Sequence, residues 1–323
     1  YRNLLPALHY LPVHLTAICN RGEDKLNRTI EEYNCPGYRT PKEMYENEDL
    51  DAVTKLSLVE KHLLSPEFVM NDNNKKGLII NPEENICIML NEDDHIKLQV
   101  FNSGQEIENL MNLAIEIDEK LGQILDYSYN EKFGYLTTSP INIGTGMKAS
   151  VIVHLPALTV TGNLPKVLKI VNNFGMNVNG VYGEGSQNLG DMYLISNNQT
   201  IGITEREITT NVKNITERIL EQERTARKFL GKNQLELEDR VYRAYGILTN
   251  AMKLSSDECK KLLSEVKLGV DLGVIKEIDD SRVRKLELYT KAGNLQKYLG
   301  KELDGYEREI KRAEVVKQII KEE

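Results

Sequence analysis

The stretch Asn85-Ile86-Cys87-Ile88-Met89-Leu90-Asn91-Glu92-Asp93-Asp94-His95-Ile96-Lys97-Leu98-Gln99-Val100-Phe101 decides how the first half of the chain reads. Ile86, Ile88 and Leu90 fall on every second position, five polar residues interrupt them, and Ile96, Leu98 and Val100 resume the period. A period of two on both sides of a short polar segment predicts an antiparallel hairpin. Before it, residues 20–58 are polar and read as helix and loop, and residues 60–64 open a more ordered region. After it, Leu110, Leu113, Ile117, Leu121 and Leu125 have helical spacing over residues 107–125. Residues 140–146 form a turn-rich loop. Residues 148–155 then predict a strand, with Ala149, Val151, Val153 and Leu155 on one face and Lys148, Ser150, Ile152 and His154 on the other. A helix over 164–174, a strand over 177–182, a glycine-rich loop over 183–190 and a strand over 192–195 follow. From Glu205 onward only helical spacing remains, through Val212, Ile215 and Ile219, then Leu237, Val241 and Leu248, and finally Val315, Val316, Ile319 and Ile320. The change from mixed to all-helical pattern predicts a boundary near 225–235, drawn between a domain of residues 1–228 and one of residues 229–323.

Composition narrows the function classes. The 323 residues are 40% hydrophobic and 28% charged, which is ordinary globular composition. Lys and Arg number 41 against 49 Asp and Glu, a net charge of −8. A surface that neutralises many phosphates by bulk charge is basic, so nucleic acid is excluded as the expected partner. Residues 1–200 hold 16 basic and 26 acidic side chains; residues 201–323 hold 25 and 23. An anion bound by the front part must therefore be held by a few local cations and backbone N–H groups. Cys19, Cys35, Cys87 and Cys259 include no CxxC pair and the five histidines no HExxH pair. Neither a metal site nor a disulfide framework is expected, and a reduced, cytoplasmic setting fits. No apolar run reaches the roughly twenty residues that span a bilayer, so no membrane association is expected.

Four segments could carry chemistry. Asn91-Glu92-Asp93-Asp94-His95 sets carboxylates and an imidazole at a strand–turn junction, with Lys97 two residues on. That suits a proton-accepting or cation-holding site, and equally a solvated turn. Ser139-Pro140-Ile141-Asn142-Ile143-Gly144-Thr145-Gly146-Met147-Lys148 has glycines spaced by one and then a lysine, without P-loop spacing. It reads as a phosphate-approaching loop or a plain turn. Asn179-Gly180-Val181-Tyr182-Gly183-Glu184-Gly185-Ser186-Gln187 places one carboxylate between glycines, as a loop closing on substrate would, or an ordinary connection. Arg308-Glu309-Ile310-Lys311-Arg312-Ala313 puts two guanidinium groups four residues apart on one helix face, a bidentate anion grip or a solvated face.

The order of these segments is more specific than any one. Val59-Glu60-Lys61-His62-Leu63, Asn91-Glu92-Asp93-Asp94-His95, Gly134-Tyr135-Leu136-Thr137, Asn142-Ile143-Gly144-Thr145-Gly146, Ala149-Ser150-Val151, Tyr182-Gly183-Glu184-Gly185-Ser186 and Ile195-Ser196-Asn197 follow one another. In that order they resemble the ATP:guanidino phosphotransferase family. His154-Leu155-Pro156-Ala157-Leu158 and the helical tail are similar to the bacterial protein-arginine kinase branch rather than to the creatine or arginine kinases. The likeness covers residues 59–323.

The resemblance implies an α+β fold: an antiparallel sheet flanked by helices, followed by an all-helical carboxy-terminal domain. It implies ATP with Mg2+, and transfer of the γ-phosphate to arginine guanidinium groups. Substrates would be proteins with exposed arginines marked for regulated proteolysis in a stress response. An activator protein, protease–chaperone machinery and a homo-oligomeric state are implied as well. Carried over by position, Glu184 and Asp93 are the substrate carboxylates, with Asp93 standing where the family has glutamate. Ser139 takes the place of a substrate-side cysteine. His62, Lys97, Lys148, Ala149, Ser150, Val151, Ile152, Asn179, Gly180, Val181, Tyr182 and Gly183 fall on nucleotide-binding positions. Of these, Lys97, Lys148 and Asn179 replace arginines. Arg308, Glu309 and Arg312 match a phosphoarginine-binding motif with Glu for Asp. An amino-terminal S-x-R-x-R element is missing; Arg2-Asn3-Leu4 would be its last residues, which makes the front of the domain divergent or truncated. Two expectations stay open. One is a divergent protein-arginine kinase. The other is a pseudokinase that has lost catalysis and acts as a phosphoarginine-binding adaptor or regulator.

Overall fold

A computed structural model describes residues 50–70, 76–104, 106–181 and 188–322, together with 18–19, 27–28, 31 and 37–38. Tyr182, Gly183 and Glu184 lie outside the described residues, as do Arg2, Asn3 and Leu4. The chain divides into two compact units. One comprises residues 1–147 with 200–206, the other residues 148–199 with 207–323.

In the first unit, Ile18–Cys19 (β1) and Gly37–Tyr38 (β2) make a short parallel pair. Helix α1 (Ala52–Glu60) starts at Asp51, whose carboxylate accepts the Thr54 N–H at 2.8 Å. Helix α2 (Pro66–Met70) follows. The expected hairpin forms from β4 (Ile86–Leu90) and β5 (Ile96–Val100), with Ile88 opposite Leu98 and Leu90 opposite Ile96. A strand that the periodicity did not reveal, β3 (Gly77–Ile80), pairs antiparallel with the other edge of β4. Residues 86–89 are therefore buried on both faces. Ile86 and Ile88 pack with Ile117 and Leu121 of α3 (Ile107–Gly122), while Cys87 and Met89 pack with Leu58, Leu63 and Leu64. A small antiparallel pair, β6 (Tyr129–Asn130) with β7 (Gly134–Tyr135), precedes a 3-10 turn over Pro140–Asn142.

In the second unit, β8 (Ser150–His154), β9 (Met176–Gly180) and β10 (Met192–Asn197) form an antiparallel sheet in the order β8-β10-β9. Helices α4 (Pro156–Val160) and α5 (Leu164–Asn173) connect β8 to β9. The buried Glu223 carboxylate accepts the Ala157 and Leu158 N–H groups at 3.1 and 2.9 Å, which fixes the start of α4. Helix α6 (Glu205–Leu230), which belongs to this unit from Glu207 onward, runs unbroken through residue 228. The helices α7 (Gln234–Asn250), α8 (Ser256–Asp271), α9 (Asp280–Tyr289), α10 (Ala292–Leu299) and α11 (Gly305–Lys321) follow. They enclose a core that includes Val241, Leu248, Leu263, Val283, Leu295, Val316 and Ile319. Sequence periodicity placed every one of the tail residues Val315, Val316, Ile319 and Ile320 inside, and all four are buried.

Candidate active site

The turn between β4 and β5 closes with the Asn91 N–H donating to the His95 carbonyl at 3.0 Å, and Asn91 takes the left-handed backbone that asparagine tolerates. This leaves Glu92, Asp93 and Asp94 at the tip, and each carboxylate has a different task. Glu92 is anchored. Its side chain is 3% exposed and accepts from Ser65 Oγ at 2.5 Å, from the Asp93 N–H at 2.6 Å and from Lys97 Nζ at 3.0 Å on each oxygen. Burial alone pushes this carboxyl up, but those hydrogen bonds and the Lys97 charge outweigh it and hold Glu92 below the usual carboxylate range.

Asp93 is the opposite case. Its side chain is 60% exposed, 4.0 Å from Lys97 Nζ. Partial burial and the adjacent Glu92 charge push its carboxyl above the ordinary value, with Lys97 offsetting them in part. Asp94 reaches across to the next loop, accepting the Ser139 N–H at 2.9 Å and Asn142 Nδ2 at 2.7 Å. The structure therefore gathers Asp93, Lys97 and Ser139 around one turn. His62 sits three residues before Ser65, in a left-handed turn that ends α1. That turn is pinned twice: Ser65 to Glu92, and the Leu63 carbonyl to the Cys87 thiol at 3.1 Å. Burial pushes Cys87 up to about 12, so it stays a thiol.

The glycine at 144 serves packing, while Gly146 takes a left-handed backbone, φ +62°, where an added Cβ would meet only ordinary van der Waals contacts. Gly144 has φ +116°, and a Cβ there would lie 2.2 Å from the Thr200 carbonyl oxygen. The Thr145 N–H donates to that same oxygen at 2.9 Å, and the Gly144 N–H donates to the Tyr135 carbonyl. The Gly144 and Thr145 N–H groups are thus spent inside the fold rather than left open to a ligand.

In the second unit the cross-strand register puts Ser150, Ser196 and Asn177 in one row and Ile152, Leu194 and Asn179 in the next. Ser150, Ile152 and Asn179 therefore share one sheet face. Ser150 and Ile152 are exposed, as is Lys148 just before the strand, while Ala149 is buried and its N–H donates to Asn197 Oδ1 at 2.8 Å. Gly180 is buried opposite Tyr193, and Val151 and Val181 are half-buried.

On α11, Arg308 and Arg312 do lie one turn apart, but they are not equivalent. Arg312 is 2% exposed. Its Nε donates to the Thr290 carbonyl at 2.7 Å, and its Nη1 donates to the Leu254 carbonyl at 2.7 Å and to the Arg308 carbonyl at 3.4 Å. Arg308 donates to the Leu303 carbonyl at 3.0 Å, and Glu309 is half-buried with Lys253 Nζ at 3.5 Å.

Sequence reasoning did not single out Ser65; Glu92, Asp94 and Asn142 fell inside candidate segments but were given no role of their own. The Ser65 and Asn142 pairings span 27 and 48 residues and leave no local pattern. Among the described residues no group of three or more His, Cys, Asp or Glu side chains could hold a metal ion, and no helix is long and apolar enough to cross a membrane.

The described residues thus combine antiparallel sheets with flanking helices, an acidic turn paired with a lysine, and a helical carboxy-terminal region. Residues 25–226 match the ATP:guanido phosphotransferase catalytic domain, and the chain belongs to that family. Within it, residues 234–323 match the carboxy-terminal domain of the protein-arginine kinase McsB. The protein-arginine kinase of Halothermothrix orenii is 46% identical over 271 residues, covering 84% of this chain and 77% of the relative. That of Caldanaerobacter subterraneus is 43% identical over 274 residues, covering 84% and 80%. Among solved structures, the duplicated taurocyamine kinase of Schistosoma mansoni with bound transition-state analogue components is 26% identical with a TM-score of 0.47, covering 55% of this chain and 25% of that one.

Proposed function

We propose that this chain transfers the γ-phosphate of Mg-ATP to arginine guanidinium groups of proteins. The observation that carries the reading is the division of labour at the turn. Glu92 is locked by Ser65 and Lys97, while Asp93 beside it is solvent-facing with raised proton affinity. A carboxylate poised in that way takes a proton from a guanidinium nitrogen as that nitrogen attacks the γ-phosphorus. The N–P bond forms, the bond from phosphorus to the bridging oxygen breaks, and ADP leaves. Lys97 and Lys148 would supply positive charge toward the phosphates, as point charges in place of planar guanidinium forks. By their positions in the family pattern, Glu184 and Ser139 would serve the substrate guanidinium, and His62, Ser150, Ile152, Asn179 and Gly180 the nucleotide. Magnesium would arrive chelated by the ATP phosphates, neutralising them during transfer.

The proposal extends to setting. The family matches either side of residue 228 support a catalytic part up to that residue and a helical part beyond it. Protein-arginine kinase relatives support protein substrates, and a cytoplasmic setting with marking for proteolysis, an activator protein and a homo-oligomer is proposed with them. A second reading, a catalytically degenerate phosphoarginine adaptor, draws on two observations. Lys97 gives its contacts to Glu92, and Asn179 carries no charge where the family has arginine.

The test is incubation of the full chain with γ-labelled Mg-ATP and an arginine-rich protein, scoring acid-labile phosphate. Label that disappears in Asp93→Asn and in Glu184→Ala is the expected result. A folded chain that binds MgADP and transfers no label overturns the kinase reading in favour of the adaptor.

A further inference from the structure

Outside the site, one half-buried polar cluster has a geometry that the reaction chemistry does not explain. His154 ends β8 and Asp191 immediately precedes β10, so the two stand at the same end of neighbouring antiparallel strands, with His154 opposite Met192. The Leu155 N–H donates to the Asp191 carbonyl at 2.9 Å. Between the two side chains lies Ser264 of α8, itself 3% exposed. Its hydroxyl donates to Asp191 Oδ2 at 2.7 Å, and its oxygen lies 2.8 Å from His154 Nε2.

A serine has one proton, and the Asp191 carboxylate takes it. His154 must then donate from Nε2, which fixes the tautomer and leaves Nδ1 unprotonated. That atom is buried and has no partner among the described residues. Asp191 also takes a left-handed backbone, φ 54°, which short polar residues tolerate. A fixed tautomer and an orphaned buried ring nitrogen are costly, so the surroundings must hold them in place.

We infer that Ser264 is a positioning residue: it latches β8 to β10 from the helical region and so sets the strand whose far end carries Ser150 and Lys148. The inference rests on the nucleotide-binding reading of that strand. His154, Ile152 and Ser150 share one face, and four residues of strand separate the latch from Ser150 by roughly 13 Å. A strand gripped at one end keeps its twist and register at the other. Small misplacements at a phosphoryl-transfer site change rates steeply.

The experiment is MgADP titration of the full chain by calorimetry, together with steady-state phosphotransfer. In Ser264→Ala the Kd for MgADP should rise roughly tenfold and kcat/KM for ATP should fall by at least as much, through the same steep dependence on geometry. KM for the arginine-bearing protein should stay unchanged. Ser264→Thr, which keeps the hydroxyl, should restore most of the affinity. Should Ser264→Ala fail to fold, Ser264→Cys places a weak donor at the same point and is read in the same way. An unchanged Kd in Ser264→Ala, or in Ser264→Cys where the alanine variant does not fold, overturns the latch alone, as does equal loss in Ser264→Ala and Ser264→Thr. Absence of MgADP binding by the unmodified chain overturns the nucleotide reading and the latch with it.

Discussion

The acidic turn at 91–97 and the basic segment at 308–312 both crowd formal charges into a few residues, yet the fold uses them in opposite ways. At the turn the charges are satisfied by one another, and Asp93 is left facing water. On α11 the guanidinium of Arg312 is withdrawn from solvent and given to backbone carbonyls of residues 254, 290 and 308. Thr290 caps α9, whose last carbonyls have no partner inside their own helix, so Arg312 completes a helix end. A charged motif is open to a ligand only to the extent that the fold leaves its donors and acceptors unspent.

The largest effect expected from this contrast is on stability, at Arg312. Arg312→Ala leaves buried carbonyls without donors and should lower unfolding free energy by about 3–5 kcal/mol, measured by urea denaturation. Unchanged stability, with loss of binding to a phosphoarginine peptide, would break the contrast and make the guanidinium a ligand group after all.

Asp93 should behave in reverse. Asp93→Asn should cut phosphotransfer on the order of 10²-fold or more, as loss of a catalytic base does. Its stability should be equal or slightly higher, and the sign follows from the ionisation. A carboxyl whose folded pKa lies above its unfolded value binds protons more readily when folded, so its ionised form costs stability at neutral pH. Asp93→Glu restores the side-chain length of the family and should raise the rate over the unmodified chain. If Asp93→Asn melts as early as Arg312→Ala, the turn is structural and the comparison fails.

His154 provides an intermediate test. Burial, with Arg227 and Lys267 nearby, drives its pKa down from 6.5 to about 3. Arg227 is paired with Glu223 and Asp271, Lys267 with Asp271 and Asp280, and Asp191 faces the ring through Ser264. Between pH 6.5 and 3 the unfolded chain takes up a proton that the native ring refuses. Its contribution is therefore complete above 6.5 and is lost as pH falls, by up to about 1.4 kcal/mol per pH unit. Comparing urea midpoints at pH 7 and pH 5.5 should show that slope, and His154→Gln should flatten it. An unaltered slope in the variant would mean that the proton uptake belongs to the carboxylates instead.

How much of this was legible in advance differs between the two clusters for a physical reason. The hairpin was readable to the residue because Ile86, Ile88, Leu90, Ile96, Leu98 and Val100 obey a local period, and the strands end where it ends. The partner strand Gly77–Ile80 was not, because it is short and its pairing with β4 depends on sequence elsewhere. Asp93 was readable because turn residues project outward by default, and Lys97 because it follows the turn at a polar position of the alternating strand. Arg312 was read as one half of a helix-face pair with Arg308, a pattern identical to a solvated stripe. What buries it are carbonyls 22 and 58 residues away in sequence. Gly144 looked like half of a phosphate-approaching pair, and its cause is the Thr200 carbonyl that no spacing reveals.

The smallest expected effect sharpens the comparison most finely. Lys97 is one-third exposed, and its ammonium sits 3.0 Å from both Glu92 oxygens. A partly exposed pair of this kind contributes little to folding, so Lys97→Arg should move stability by no more than about 0.5 kcal/mol. The guanidinium fork can, however, hold Glu92 with one edge and present the other edge outward, which a point charge cannot do. Lys97→Arg should therefore raise phosphotransfer several-fold at unchanged stability, read as kcat/KM for ATP. A fall in rate would show that the compact ammonium is what lets the shorter Asp93 reach its proton, and that lysine and aspartate changed together as one adapted pair.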